Sequence, residues 1–281
     1  MKAMLTDIAT WRFAAQIESA EVNAWIDLCA AAPADFARRF QLDLLRAQEV
    51  VMTRCVGIPF VHFNCVMNLG VNEPAREAQI DELLALYRSA GVSAFAFLHN
   101  PQCQPVQLTQ WFKAKGLGEG EGWDRIYRSG APQPSGVAET SDGLRVEKVN
   151  PASAGEWADF LDVNYGLPTR PWLLALAARR GWHHYLLRSG AEIVAVRSMY
   201  LHSDGMAWLG IEAPVPGVMA PSYELDRRIC QVIVREGLGL GARYFVADIE
   251  APSETMNTPA YDAFSAMGFR KLYRRSLFGP R

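Results

Sequence analysis

The chain has 281 residues, 50% of them hydrophobic and 11% aromatic, a length suited to two domains and a composition ample for two packed cores. Its 28 basic and 30 acidic residues give a formal charge of −2, which removes the electrostatic footprint of a duplex-binding protein. Five scattered cysteines without a Cys-x-x-Cys pair suggest neither a disulfide framework nor a zinc knuckle, so reduced thiols in the cytoplasm are expected. No stretch approaches the ~20 apolar residues that span a bilayer, and the start of the chain lacks a signal-peptide pattern. Neither nucleic acid nor membrane is an expected partner.

In chain order, residues 1–55 read as mainly helical, with Trp25, Leu28, Phe36, Phe40 and Leu44 supplying the apolar positions. A strand from Phe60 to Leu69 follows, then a helix from Pro74 to Ala90 stopped by Gly91. Val92 to Leu98 reads as a strand, Val106 to Lys115 as a helix stopped by Gly116, and Trp123 to Arg128 as a closing strand. Glycine and proline punctuate Ser129 to Gly143, which reads as a linker.

Beyond it, Leu144 to Val149 alternates apolar and polar residues like a half-buried strand. Helical spacing covers Pro151 to Tyr165, and a second short helix starts at Pro171 and closes at Gly181. His184 to Arg188 and Ile193 to Leu201 form strands around the turn at Ser189 and Gly190, and a strand from Met206 to Ala213 follows Gly205. Ser222 reads as the N-cap of a helix ending at Gly241. Then come a strand from Arg243 to Ile249, a helix from Pro259 stopped by Gly268, and a closing strand from Phe269 to Phe278. The stop glycines lie 25 residues apart in the first half (116 − 91) and 27 in the second (268 − 241). Ile126-Tyr-Arg-Ser129 also matches Leu272-Tyr-Arg-Arg-Ser276, so a duplicated unit is expected. The expected division is a first domain over 1–130, a linker over 131–143 and a second domain over 144–281.

This order, strand, two helices, hairpin strands, long strand, helix, strand, helix, strand, resembles the GNAT N-acetyltransferase superfamily, and the whole chain is similar to its bacterial tandem members. Ala191 to Val196 and Gly205 to Gly210 look like the family's third and fourth strands, and Pro259 to Phe269 like its last helix with the following Gly-Phe. Leu69-Gly70 and Glu73-Pro-Ala75 are similar to the degenerate leading domain of such tandems. The resemblance implies a mixed α/β fold of two GNAT-like domains, each a central mixed sheet flanked by helices. It further implies an acyltransferase using acetyl-CoA or another acyl thioester, free or on an acyl-carrier protein, and a small amine as acceptor. Two departures stand out. The Arg-x-x-Gly-x-Gly/Ala turn that cradles the donor's pyrophosphate is absent from Pro214 to Glu224 and from Val71 to Arg76. Phe264 occupies the place where many members carry a tyrosine acid, so Tyr261, one turn earlier, is the candidate acid, with packing on the sheet as its alternative role.

Glu212, at the end of an otherwise apolar strand, is the candidate base for taking the ammonium proton, unless it simply reaches solvent. The resemblance places main chain from Ala213 to Val215 against pantetheine, Ser222 at the pyrophosphate and Asn257 beside the arm. Asp248 and Glu250 share a strand parity and could hold an amine or merely be solvated. A soft-metal site from His62, Cys65, His99 and Cys103 fails because residues three apart on a strand face opposite sides, so no metal is expected. One of His183 and His184 is expected to be exposed, and His202-Ser-Asp204 is a turn rather than a triad. Trp157, Trp172, Trp182 and Trp208 could line a substrate cleft between helices and sheet but read mostly as core, whereas Tyr165, in the break between two helices, is expected to be open to substrate. The alternative to an enzyme is a non-catalytic GNAT-like protein whose cleft binds a small molecule or a partner protein.

Overall fold

In the computed structural model, residues 2–130, 143–214, 223–250 and 259–280 are described, the side chains of 2–11 and 250 excepted. The chain divides into two compact units. The first comprises Met1–Ala30, Ala34–Asp124 and Tyr273–Arg281, and the second Ala31–Pro33 and Arg125–Leu272. The last nine residues therefore belong with the first unit, although the sequence places them in the second, and the division falls at Asp124 rather than beyond Arg128. The reason is that the closing strand takes its hydrogen-bond partners from the first unit (below). Most of the expected linker, 131–142, lies outside the described residues.

The first unit opens with a long helix α1 (Lys2–Ala30) and a short α2 (Ala34–Phe40). Residues 42–55, expected to continue the helical region, instead form an antiparallel hairpin of β1 (Leu42–Ala47) and β2 (Val50–Cys55). The apolar spacing that links Phe40 to Leu44 is shared by helix and strand, and the positive φ of Gln48 completes the turn. The expected strand from Phe60 shrinks to a 3-10 turn (Val61–Phe63) followed by a three-residue β3 (Cys65–Met67). Then come α3 (Glu77–Ser89), β4 (Ala96–His99), α4 (Leu108–Ala114) and β5 (Leu117–Ser129), close to the sequence reading.

In the second unit, β6 (Leu144–Lys148), α5 (Ala154–Tyr165), α6 (Arg170–Ala177), β7 (Trp182–Ser189), β8 (Glu192–Leu201) and β9 (Met206–Pro214) follow in the expected order. They precede α7 (Tyr223–Gly239), β10 (Tyr244–Glu250), α8 (Pro259–Ser265) and β11 (Arg270–Pro280). The strand order of the first unit is β1-β2-β3-β4-β11-β5 and that of the second β5-β10-β9-β8-β7-β6, with β5 and β11 each contributing residues to both. The sheets are mixed, as expected. Each unit has a parallel pair joined by a helical crossover, β3–α3–β4 and β9–α7–β10, set among antiparallel neighbours.

The C-terminal strand is fixed in the first unit by both ladder and charge. Ser276 to Phe278 pair with His99 to Phe97 of β4, and Phe278 joins the core formed by Tyr87, Phe97 and Phe112. On α1, buried Glu18 and Glu21 receive the buried Arg275 guanidinium, with Glu18 Oε2 at 3.5 Å, and the Tyr273 hydroxyl donates to Glu18 at 2.6 Å. The second core lies between the sheet and α7, where Met199, Leu209, Ile229, Ile233, Phe245 and Phe269 are buried. Among the described residues no helix is long and apolar enough to cross a membrane.

Candidate functional site

The site grows from an irregularity in β9. Val196 pairs with Ala213 and Ser198 with Gly210, so Ile211 and Glu212 together stand opposite Arg197 alone. Ile211 takes a φ of +50°, an unfavourable conformation for a β-branched residue. This is a β-bulge, a device that re-aims side chains and bends a strand. On its other edge β9 pairs in parallel with β10 from Met206–Tyr244 to Trp208–Val246, with no further pair among the described residues.

The bulge directs Glu212 toward the α7 face. Arg197, flanked in the strand by the core residues Ala195 and Met199, is 1% exposed and reaches two carboxylates. Its Nη2 lies 2.5 Å from Glu212 Oε2 and its Nη1 2.5 Å from Asp226 Oδ1 in the first turn of α7. The guanidinium also lies 5.3 Å over the Phe264 ring. A buried guanidinium is tolerated because both carboxylates neutralise it. Glu212 itself has a side chain 53% exposed. The carboxylate is anchored from below by Arg197 and open above.

The end of α5 holds the same stretch from the side. The Tyr165 hydroxyl donates to the Glu212 carbonyl at 2.6 Å, and Asn164 Nδ2 donates to the Pro214 carbonyl. Desolvation, and then the Glu212 carboxylate, push the Tyr165 phenol up, so it remains a donor at neutral pH. Its ring is 41% exposed, in keeping with the sequence reading.

Asp248 lies on the opposite face. Its strand neighbours Ala247 and Ile249 point into the core against α7, while Asp248 is 3.3 Å from the buried Arg125 of β5. Glu212 and Asp248 therefore do not form one carboxylate pair, and the Glu250 side chain lies outside the described residues. The face under α5 and α6 is filled: Trp157, Trp172, Trp182 and Trp208 are all buried, and Trp208 folds over Gly210, where a Cβ would have no room. His184 is 3% exposed against Trp157, its Nδ1 2.7 Å from Ser198 Oγ, and burial pushes it down to about 3. His183 is half-buried, so neither histidine is exposed as expected.

Solved structures place this architecture. No protein-family model matches the sequence, and no curated protein matches it. A GCN5-related N-acetyltransferase from Kribbella flavida superposes with a TM-score of 0.60 at 13% identity, covering 95% of both chains. One from Sphaerobacter thermophilus gives 0.57 at 12% identity, over 88% of this chain and 85% of that one. A tandem GNAT protein from the clavulanic acid biosynthesis pathway gives 0.55 at 16% identity, over 92% and 93%. The chain has the GNAT fold.

Of the expected site residues, Glu212 and Ala213 lie on β9. Glu212 and Ala213 sit at and just past the bulge, and Ala213 is 3% exposed. Val215, Ser222 and Asn257 lie outside the described residues. Tyr261 is partly buried and packs against the core of the second unit, while Phe264, in the tyrosine's usual place, is 2% exposed beneath Arg197. The described start of α7 is electrically compensated. Glu224 is held by Arg227 at 2.7 Å and by Arg228 at 3.4 Å, and Arg227 keeps its carboxyl below the usual range. Sequence reasoning missed Arg197, because a single arginine between Val196 and Ser198 gives no sign that two distant carboxylates converge on it. Among the described residues no group of three or more His, Cys, Asp or Glu side chains is arranged to hold a metal ion.

Proposed function

We propose that the second unit is an N-acyltransferase that moves an acyl group from a CoA or carrier-protein thioester to a small amine in the cytoplasm. The observation that carries this is the end of the described β9–β10 ladder at Trp208 and Val246, with the bulge at Ile211 beside it. A slot between two parallel strands suits a narrow, amide-bearing arm such as pantetheine, whose amides can pair with strand main chain as an added strand would. The amine nitrogen attacks the thioester carbonyl carbon, the C–S bond breaks, and the proton lost from nitrogen goes to Glu212, directly or through water. Arg197 holds the Glu212 carboxylate in place through their ion pair. Tyr261 is the candidate donor of a proton to the leaving thiolate. Ala213 to Val215 would line the arm, with Ser222 and Asn257 at its outer end.

The donor set fits the arm better than the diphosphate. Arg227 and Arg228 are committed to Glu224, and Asp226 to Arg197, so the described first turn of α7 has no net positive charge to offer. A carrier-protein thioester, which replaces the nucleotide by a protein surface, is therefore the favoured donor. The non-catalytic reading has one observation of its own: Tyr165 and Asn164 already occupy the Glu212 and Pro214 carbonyls that an arm would share. Calorimetry with acetyl-CoA and with acetyl-pantetheine, beside a thiol-release assay over a panel of amines, separates the readings. Comparable binding of both donors with amine-dependent thiol release supports the carrier-type enzyme. Acetyl-CoA binding far tighter than acetyl-pantetheine restores an ordinary acetyltransferase, and neither binding nor release leaves the non-catalytic protein.

A further inference from the structure

In the first unit a pocket of about 220 Å³ opens beyond the end of β3, between the β1–β2 turn and the first turn of α3. In α/β sheets the carboxyl ends of parallel strands, beside a helix N-terminus, are where ligands gather. The pocket is lined by Glu49, Asn68, Glu73 and Arg76 among others. Asn68 is 5% exposed, its backbone is held at a φ of +63°, and its Oδ1 has no hydrogen-bond partner. A buried polar atom left in this state is rare and marks a position that something else completes. Glu73 and Arg76 form no ion pair among the described residues, and Glu49 accepts a single hydrogen bond, from Asn72 at 3.2 Å. The first turn of α3 is kept in shape by the Gln79 side chain, which accepts from the Arg76 N–H at 2.6 Å.

The shape of the pocket limits the ligand. Gln104 N–H donates to the Gly70 carbonyl at 2.7 Å, and Ala75 N–H donates to the Gln104 carbonyl at 2.8 Å. The chain thus fills the extension of β3 with its own backbone, and no extended arm can lie there. A compact ligand remains, with room well beyond a single water, which takes about 30 Å³ of the liquid.

We propose that this pocket binds a small zwitterionic amine of the α-amino-acid class, with preference for a cationic side chain. The carboxylate is received by the Arg76 guanidinium beside the N-terminus of α3, where the helix dipole favours an anion. The ammonium lies against Glu49 and Glu73, with Asn68 at the buried end of the pocket. Two carboxylates against one guanidinium leave the wall with an excess of negative charge, so a ligand of net positive charge is favoured over a neutral one and a neutral one over an anionic one. This site is independent of the acyltransferase reading.

The test is calorimetry on the full chain with L-lysine, L-glutamate and pyrophosphate as probes. L-Lysine binds, L-glutamate binds at least about tenfold more weakly, and pyrophosphate does not compete. Arg76→Gln and Glu73→Gln, both at exposed side chains, each weaken L-lysine by about tenfold or more without moving the melting temperature. Glu212→Gln, in the second unit, leaves L-lysine binding as it was, which distinguishes this pocket from an acceptor site. The proposal is overturned if L-lysine gives no heat, if pyrophosphate alone binds, or if Glu212→Gln abolishes binding while Arg76→Gln does not.

Discussion

Replacing Arg275 by leucine tests the finding that the chain's last strand completes its first unit. Glu18 and Glu21 are 4% and 7% exposed, and the Arg275 side chain that faces them is 2% exposed. With the guanidinium gone, the two carboxylates retain the Tyr273 hydroxyl and the Trp25 indole N–H, at 2.6 and 3.4 Å, as neutral donors. Removing one partner from a buried ion pair typically costs about 3–5 kcal/mol, because the remaining charge stays desolvated. The first unit should therefore lose roughly that much stability, a large share of what a domain has. Urea unfolding followed by tryptophan fluorescence reads it: one transition moves to lower denaturant and the other stays. The triple variant Arg275→Leu, Glu18→Gln, Glu21→Leu removes all three charges and should recover most of the loss. The reasoning fails if Arg275→Leu costs less than about 1 kcal/mol, or if both transitions move together. The same logic predicts that a 1–130 fragment, which lacks residues 273–281, does not fold by circular dichroism, whereas a permuted chain that restores them does.

Further expectations concern the second unit and the closed cleft of the first. Glu212→Gln should keep the fold and lower turnover by roughly 10² in the thiol-release assay; unchanged turnover would remove Glu212 from the mechanism. Because His184 is held near 3 when folded and titrates near 6.5 when unfolded, the unfolded chain binds more protons between these values. Its stabilising contribution is complete above pH ~6.5 and is lost as pH falls below it, so roughly 3 kcal/mol is gone at pH 4.5. His184→Gln should flatten the denaturation midpoint over that range, and an unchanged slope would count against a buried neutral imidazole. Gly70 has a φ of +80° with the Gln104 backbone against it, so Gly70→Ala should destabilise the first unit by about 1–3 kcal/mol in the same urea assay.

The sequence by itself determined the local elements of the second unit. Alternation along β6 to β9 and the stop glycines carry their own physics: Gly91, Gly116, Gly241 and Gly268 all adopt positive φ, between +72° and +93°, where other residues are strained. It also singled out Glu212 at the end of β9 as a candidate base, because a lone carboxylate after an apolar strand is costly unless it has a task or a partner. What the sequence left open is what depends on residues far apart in the chain. Residues 42–55 satisfy helical and strand spacing alike, and only pairing between β1 and β2 makes them a hairpin. Arg197 gathers Glu212 and Asp226 because the bulge at Ile211 turns one carboxylate to the face where α7 presents the other. The membership of residues 273–281 in the first unit was likewise decided by tertiary structure, since Arg275 and Glu21 are 254 positions apart and no local pattern records that they meet.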